Sequence, residues 1–296
     1  MNLMRLFTGL VVALCLLLML LFSLLFTQLG NQWLWGLAKQ QVPGLDGTLV
    51  SGQLGRGWQF DELSYEQDSL AFSARQVTID WQLGKLLERR FWLHQLVAED
   101  IDVTIKTLPP AKEEAPTEPL GQITPPLRID LDEIRADRVT ISLPGQTIAW
   151  QSLQLAAHWN ADAMVITGPN LDGLTLTLTP AEAAAATGEQ PVAAATSPLT
   201  LPEVVLPFPV KLQDLSLTNS RLIQGGQTQE LQALALNVEG QNSELTILTA
   251  ELDHDLATVT LDGNITLSGD YPLDLALNAT LHKPLLDGEL AGQTLN

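Results

Sequence analysis

The stretch PGLDGTLVSGQLGRGW, residues 43–58, sets Gly47, Gly52, Gly55 and Gly57 within eleven residues, a density that in other chains cradles phosphate. A Walker-type loop ends in Gly-Lys-Ser/Thr, and a dinucleotide fingerprint needs a strand before it and a helix after it. Neither is present. The run is followed by alternating apolar residues, where glycine serves turns and bulges that need positive φ or close backbone approach. The four histidines, His94, His158, His254 and His282, are far apart, with no partner at ligand spacing. Asp253-His254-Asp255 is the one cluster, and a strand there would send both carboxylates to the face opposite the imidazole. No Gly-x-Ser-x-Gly occurs, and the single cysteine, Cys15, lies in an apolar leader, which excludes an intramolecular disulfide. Asn264-Ile-Thr266 and Asn278-Ala-Thr280 match the glycosylation sequon, but threonine in alternating strands produces that match by chance. The residues that do chemistry elsewhere do not converge, so the reading is of a chain that is not an enzyme, with no catalytic, metal-binding or cofactor-binding residue.

The elements that would position any site are strands. From residue 60 the apolar period is 2. It is seen in Val77-x-Ile79-x-Trp81, Ile101-x-Val103-x-Ile105, Val139-x-Ile141, Leu153-x-Leu155-x-Ala157-x-Trp159 and Leu174-x-Leu176-x-Leu178. It continues in Leu215-x-Leu217, Leu234-x-Leu236-x-Val238, Leu245-x-Ile247, Val259-x-Leu261, Ile265-x-Leu267 and Leu273-x-Leu275-x-Leu277. Turn signals separate these runs at Leu143-Pro-Gly145, Gly168-Pro169, Asp172-Gly173, Gly225-Gly226, Asp262-Gly263 and Gly269-Asp270. A loose repeat is superposed: Leu93-x-x-Leu96-x-Ala98-x-x-Ile101-x-Val103 matches Leu131-x-x-Ile134-x-Ala136-x-x-Val139-x-Ile141, and Leu212-x-x-Leu215-x-Leu217 begins a third copy. In two copies another alternating strand starts 22 residues on, at Leu153 and at Leu234. Repetition of one strand-turn-strand unit suggests an extended sheet. Residues 109–119, PPAKEEAPTEP, and 181–198, AEAAAATGEQPVAAATSP, read as loops or disordered linkers. Two helices are expected after the leader, over 31–41, stopped by Pro43, and over LGKLLERRFW, residues 83–92.

Residues 6–29 carry no charge, and 24 residues of helix extend about 36 Å, enough for a hydrocarbon core of roughly 30 Å. The run is too long for a signal-peptide core and has no convincing cleavage site, so an uncleaved anchor is expected, with Trp33 and Trp35 at the membrane interface. Residues 1–40 hold two bases and no acid, leaving 13 bases against 34 acids in the rest. That balance repels nucleic acid. The acidic bulk is expected outside the cytoplasm, with the N-terminus inside.

The strand pattern allows two packings. A sandwich buries two apolar faces against each other, whereas a sheet that curls over itself leaves an apolar channel that lipid chains would fill at about 0.8 kcal/mol per buried CH₂. Alternation alone writes both.

The order of the opening motifs adds a resemblance. A single N-terminal span is followed by Trp35…Lys39…Val42-Pro43-Gly44-Leu45-Asp46, then Gly52…Gly55…Gly57-Trp58 and Leu63-Ser64-Tyr65-Glu66. This resembles the start of the TamB family of inner-membrane proteins. Val77-x-Ile79-x-Trp81…Leu86-Leu87…Phe91…Leu96…Asp100-Ile101-x-Val103 resembles the unit shared across the AsmA-like superfamily, in which a short helix links two strands. Val210–Leu222 and Gly269–Leu275 are similar to later parts of the same family. The resemblance implies a mostly β fold: an N-terminal transmembrane helix, then an elongated, curled antiparallel-type sheet, taco-shaped in section, with an apolar inner face. It implies a single-pass protein of the Gram-negative inner membrane whose bulk lies in the periplasm. The function implied is movement of phospholipids toward the outer membrane in partnership with a TamA-like outer-membrane protein, with a linked role as a scaffold in outer-membrane protein assembly. Family members exceed a thousand residues, so this chain is read as an N-terminal portion, lacking the C-terminal region that meets the TamA-like partner.

Combined, these readings divide the chain into an anchor (1–30), a membrane-proximal β unit with a short helix (31–108), a Pro/Glu-rich loop (109–126), a β-repeat unit (127–180), an Ala/Pro-rich linker (181–203) and a further β-repeat unit (204–296). Groove-lining candidates are Ile79, Trp81, Ile101, Val103, Val139, Ile141, Leu174, Leu176, Leu178, Leu234, Leu236, Ile265, Leu267, Leu275 and Leu277. Lys85, Arg89 and Arg90 read either as a solvated face or as neighbours of membrane headgroups.

Overall fold

The computed structural model describes residues 27–106, 122–178, 204–254, 257–282 and 294–295, with Leu16 and Met19 in addition. The apolar run expected to anchor the chain lies almost wholly outside the described residues, and no described helix is long and apolar enough to cross a membrane. The first described element is helix α1 (Gln28–Gln41), capped by the Thr27 hydroxyl, which accepts from the Gly30 N–H.

Strands follow in hairpins: β1 (Leu45–Gln53), β2 (Gly57–Glu66) and β3 (Leu70–Trp81), a 3-10 helix (Leu83–Glu88), then β4 (Arg90–Ile105). Next come β5 (Arg128–Leu143), β6 (Gln146–Trp159), β7 (Met164–Asp172) and β8 (Thr175–Leu178). The last group is β9 (Leu206–Gln224), β10 (Gln227–Asn242), β11 (Glu244–His254), β12 (Ala257–Thr266), β13 (Leu273–Leu281) and β14 (Thr294–Leu295). All fourteen belong to one sheet whose order follows the chain, with β8 alongside β7 between β6 and β9. Thirteen strands on one path, about 4.8 Å apart, give a sheet roughly 60 Å across. Among the described residues its first and last strands are not paired, so the sheet stays open.

Two joints depart from the expected antiparallel pattern. β4 pairs parallel with β5, and β7 and β8 pair parallel with β9. Parallel neighbours need a crossover of a dozen or more residues, where a hairpin needs about two. The two joints coincide with the two segments read as linkers: 22 residues separate β4 from β5, and 27 separate β8 from β9.

The sequence repeat is the register of the first joint. Leu93, Leu96, Ala98, Ile101 and Val103 lie opposite Leu131, Ile134, Ala136, Val139 and Ile141. The third copy joins through β7, with Ile166 opposite Leu212 and Leu171 opposite Leu217. The first two-residue gap of the repeat carries a register shift in each copy. Asp100, Arg138 and Asn219 occupy the same place in the three copies, and each has left-handed φ, at 48°, 53° and 53°. Each lies in the second gap, where the left-handed residue lets the apolar residues on its two sides, three positions apart, return to one face.

Several local expectations change. Gly168-Pro169 and Asp262-Gly263 lie inside β7 and β12 and are not turns between strands. Gly168 has φ +58°, the bulge geometry at which a proline without an N–H is tolerated. The helix expected over 83–92 is a six-residue 3-10 turn. Arg89, at φ +56°, ends it and releases Arg90-Phe91-Trp92 into β4.

Candidate functional site

The glycine stretch is settled by geometry. A Cβ on Gly57 would sit 2.0 Å from the Ile79 carbonyl oxygen, and one on Gly52 would sit 2.4 Å from the Trp58 ring. These glycines let β1, β2 and β3 and their tryptophans pack closely, and no phosphate cradle results. Trp58 and Trp81 meet edge to face at 5.6 Å, and Trp35 meets Phe60 in the same way at 4.9 Å. Each indole N–H is answered: Trp35 donates to the Gly47 carbonyl, Trp58 to the buried Asn31 side chain, and Trp81 to the Leu54 carbonyl. Trp35, Phe60, Ala74 and Val77 form a buried cluster that fixes α1 on the sheet. The two tryptophans expected at a membrane interface therefore differ: Trp33 is 61 % exposed, whereas Trp35 is buried in this cluster.

Beyond that cluster the apolar face continues as rows running across the strands. One row links Ala98, Ala136, Leu153, Leu171, Leu217, Leu234, Leu252, Val259 and Ala279, from β4 to β13. A second runs from Trp81 through Leu93, Leu131, Ala157, Ile166, Leu212, Val238, Ile247 and Gly263 to Leu275. A third links Phe72, Val103, Ile141, Ile148, Leu176 and Leu222. A shorter row joins Leu215, Leu236, Ala250, Leu261 and Leu277. Ladder partners project to the same side of a sheet, so the strands supply continuous apolar bands.

The candidates do not all share one environment. Ile79 and Ile101 pack against the closed cluster under α1, and Val139 is buried. Trp81, Val103, Ile141, Leu178, Leu234, Leu236, Ile265 and Leu267 are half-buried. Leu178 lies opposite Gln146 and Gln224 at a band's end, and Ile265 lies between Leu245 and Leu273. Leu267 is held by its backbone, donating to Ser243 and accepting from Val204. Leu174 and Leu176 line an open cavity of about 310 Å³ with Leu217, Leu222 and Leu231. Leu275 and Leu277 are 36 % and 53 % exposed. Among the described residues only eight apolar side chains are buried, so among them most of the apolar face has no second layer over it. The indole N–H groups of Trp150 and Trp159 are buried and have no hydrogen-bond partner among the described residues.

The opposite face of the first parallel joint is polar and was not visible in the sequence as a site. Asp130 on β5, whose side chain is fully buried, accepts from Arg90 on β4, from Arg128 at 2.8 Å and lies 3.0 Å from Nδ1 of His158 on β6. Burial opposes ionisation of this carboxyl, but the hydrogen bonds from Arg128, Arg90 and His158 outweigh it and hold its pKa below the usual value. Asp132 accepts from the Trp92 indole at 2.7 Å and faces His94 Nδ1 at 3.1 Å. At the left-handed positions, Arg138 donates to Asp100 and Glu99, both at 2.6 Å. The hydrogen bond from Arg138 keeps the Asp100 carboxyl below its ordinary pKa. On this face the residues act as stitching between strands. Among the described residues no group of three or more His, Cys, Asp or Glu is placed to hold a metal ion.

Comparison with known proteins shows the family. A family profile described as TamB, N-terminal domain, matches residues 17–296. The Translocation and assembly module subunit TamB of Haemophilus influenzae is similar, 21 % identical over 283 residues that cover 88 % of this chain. The chain spans only 22 % of that relative's length. No solved structure matches the chain. With the profile covering nearly every residue, the chain belongs to the TamB family, in the region of its N-terminal domain.

Proposed function

We propose that this chain is the membrane-anchored, periplasmic beginning of a lipid conduit, in which phospholipid acyl chains lie along the apolar bands of the open sheet. The family is a non-catalytic one with an inner-membrane or periplasmic location and a general role in membrane contact and transport. The observation that carries the finer reading is the set of apolar rows crossing as many as ten strands, with no covering layer among the described residues. Water against such a face is unfavourable by about 25 cal/mol per Å², which acyl chains would relieve without any specific contact. Anchoring is by residues 6–29 as a single span with the N-terminus in the cytoplasm. A TamA-like outer-membrane protein is the partner at the far end of a full-length conduit.

Recovery of bound phospholipid with the purified full chain tests this reading. Leu176→Arg puts a cation into the wall of the 310 Å³ cavity, and Leu248→Arg puts one at a 50 % exposed position next to Ile247 but on the other face. Loss of lipid in the first variant and retention in the second is expected. Equal recovery in both removes the groove from the account.

A second reading has its own observation. β13 is paired with β14 at only two positions, Ala279 and Thr280, and Leu273 and Leu277 are 64 % and 53 % exposed along it. Among the described residues the rest of that edge carries no partner strand, and such an edge is where client strands add by β-augmentation, which is the form a scaffold in outer-membrane protein assembly would take. Backbone crosslinks from β13 to client proteins, with no lipid on the apolar face, would favour it.

A further inference from the structure

We infer that the 3-10 turn between β3 and β4 is a second membrane contact, with Leu86 and Leu87 set into the bilayer interface and Arg56 and Arg89 on the lipid phosphates. Leu87 is 93 % exposed and Leu86 42 % exposed, at the tip of a turn that packs neither against the sheet's core. Leaving two adjacent leucines in water is unfavourable, and cations flanking such residues are the usual composition of an interfacial contact. Lys85 is neutralised by Glu88 at 2.8 Å, whereas Arg56 and Arg89 are exposed and form no ion pair among the described residues.

The turn lies on the side where the apolar run enters the fold. The Gln28 side chain, at the start of α1, donates to the Val50 carbonyl, and Asn31 accepts from Trp58. The β1–β2 turn is tied to the end of β3, because Trp81 donates its indole N–H to the Leu54 carbonyl and its backbone N–H to that of Arg56. The 3-10 turn continues directly from there. An open cavity of about 950 Å³ is lined by Gln28, Arg56, Gly84, Lys85 and Glu88 together. A bilayer holding residues 6–29 therefore meets this rim first. The charge distribution supports the same partner: in a chain of net charge −19, Arg56 and Arg89, which form no ion pair among the described residues, give this rim two cations for lipid phosphates.

This inference rests on the anchoring part of the reading above, not on the groove. It is tested with the full chain in vesicles of phosphatidylethanolamine and phosphatidylglycerol. A fluorophore is placed at Leu87→Cys or, as control, at Leu248→Cys, both in a Cys15→Ser background, and at the native Cys15 in the unaltered chain. Lipids carrying a quencher near the glycerol backbone report contact at positions 87 and 248, and lipids carrying it deep in the acyl chain report the Cys15 probe, which lies near the middle of the span. Quenching at position 87 but not at 248, lost on adding Arg56→Glu and Arg89→Glu and weakened by salt, is expected. Quenching at Cys15 with none at position 87 overturns the second contact while leaving the anchor in place. No quenching at Cys15 overturns the anchor and this inference together. Because residues 87, 56 and 89 are exposed, circular dichroism of each variant is expected to match that of the parent.

Discussion

Asp130 is the side chain on which the first parallel joint depends. Its carboxylate joins β4, β5 and β6 through Arg90, Arg128 and His158. Removing one member of a buried charge network costs about 3–5 kcal/mol, and the two partly exposed arginines place Asp130→Ala near the lower figure. Urea unfolding of the parent and the variant measures it. The same group makes stability depend on pH. A carboxyl whose folded pKa lies below its unfolded value of about 3.9 stabilises the fold above that value, and the contribution is lost as pH falls through the folded pKa. Stability should therefore be flat from neutral pH down to about 5 and fall below 4 in the parent, with a smaller acid-dependent fall in Asp130→Ala. None of this was legible in the sequence. The partners lie up to 40 residues apart, and a period-2 pattern carries no information about which polar residues face each other across a joint. The apolar residues were legible because burial on one face constrains every second position.

At the scale of elements, the two linkers are read differently once the sheet is known. Their proline- and alanine-rich composition suggested spacers, whereas the parallel pairing of the strands they join makes them return paths. Arg90 lies opposite Arg128, and β4 runs 16 residues before the connection begins, so the chain must return about 50 Å. The 22 intervening residues reach at most about 75 Å. Deleting residues 109–119 leaves about 40 Å of reach, too little to close the joint in its present register. That deletion should abolish the Arg138–Asp100 contact, read by loss of a disulfide between cysteines placed at Ile101 and Val139. Replacement of the same residues by an equally long Gly/Ser segment should keep it. The repeat was legible as a pattern and its meaning was not, since a register between parallel strands and a duplication of separate units leave the same trace. Gly168-Pro169 and Asp262-Gly263 show the complementary limit: glycine serves a bulge inside a strand as readily as a turn between strands.

For the whole molecule, the sequence left a closed sandwich and an open groove undecided. The described residues form one open sheet, with a small closed cluster under α1 and apolar bands that extend well past it. Three repeat copies carry a left-handed residue at the same place, Asp100, Arg138 and Asn219. No hydrophobic periodicity reports such a row, because it is a property of backbone φ. The claim on which the account turns is that the bands are occupied by lipid. In-cell photocrosslinking with a photoreactive residue at Leu176, on the cavity wall, and at its neighbour Thr175, on the other face, tests it most directly. The account predicts phospholipid adducts at Leu176 and none at Thr175. Intramolecular or protein-only adducts at Leu176 would contradict it and leave the scaffold reading, with β13 as the working surface.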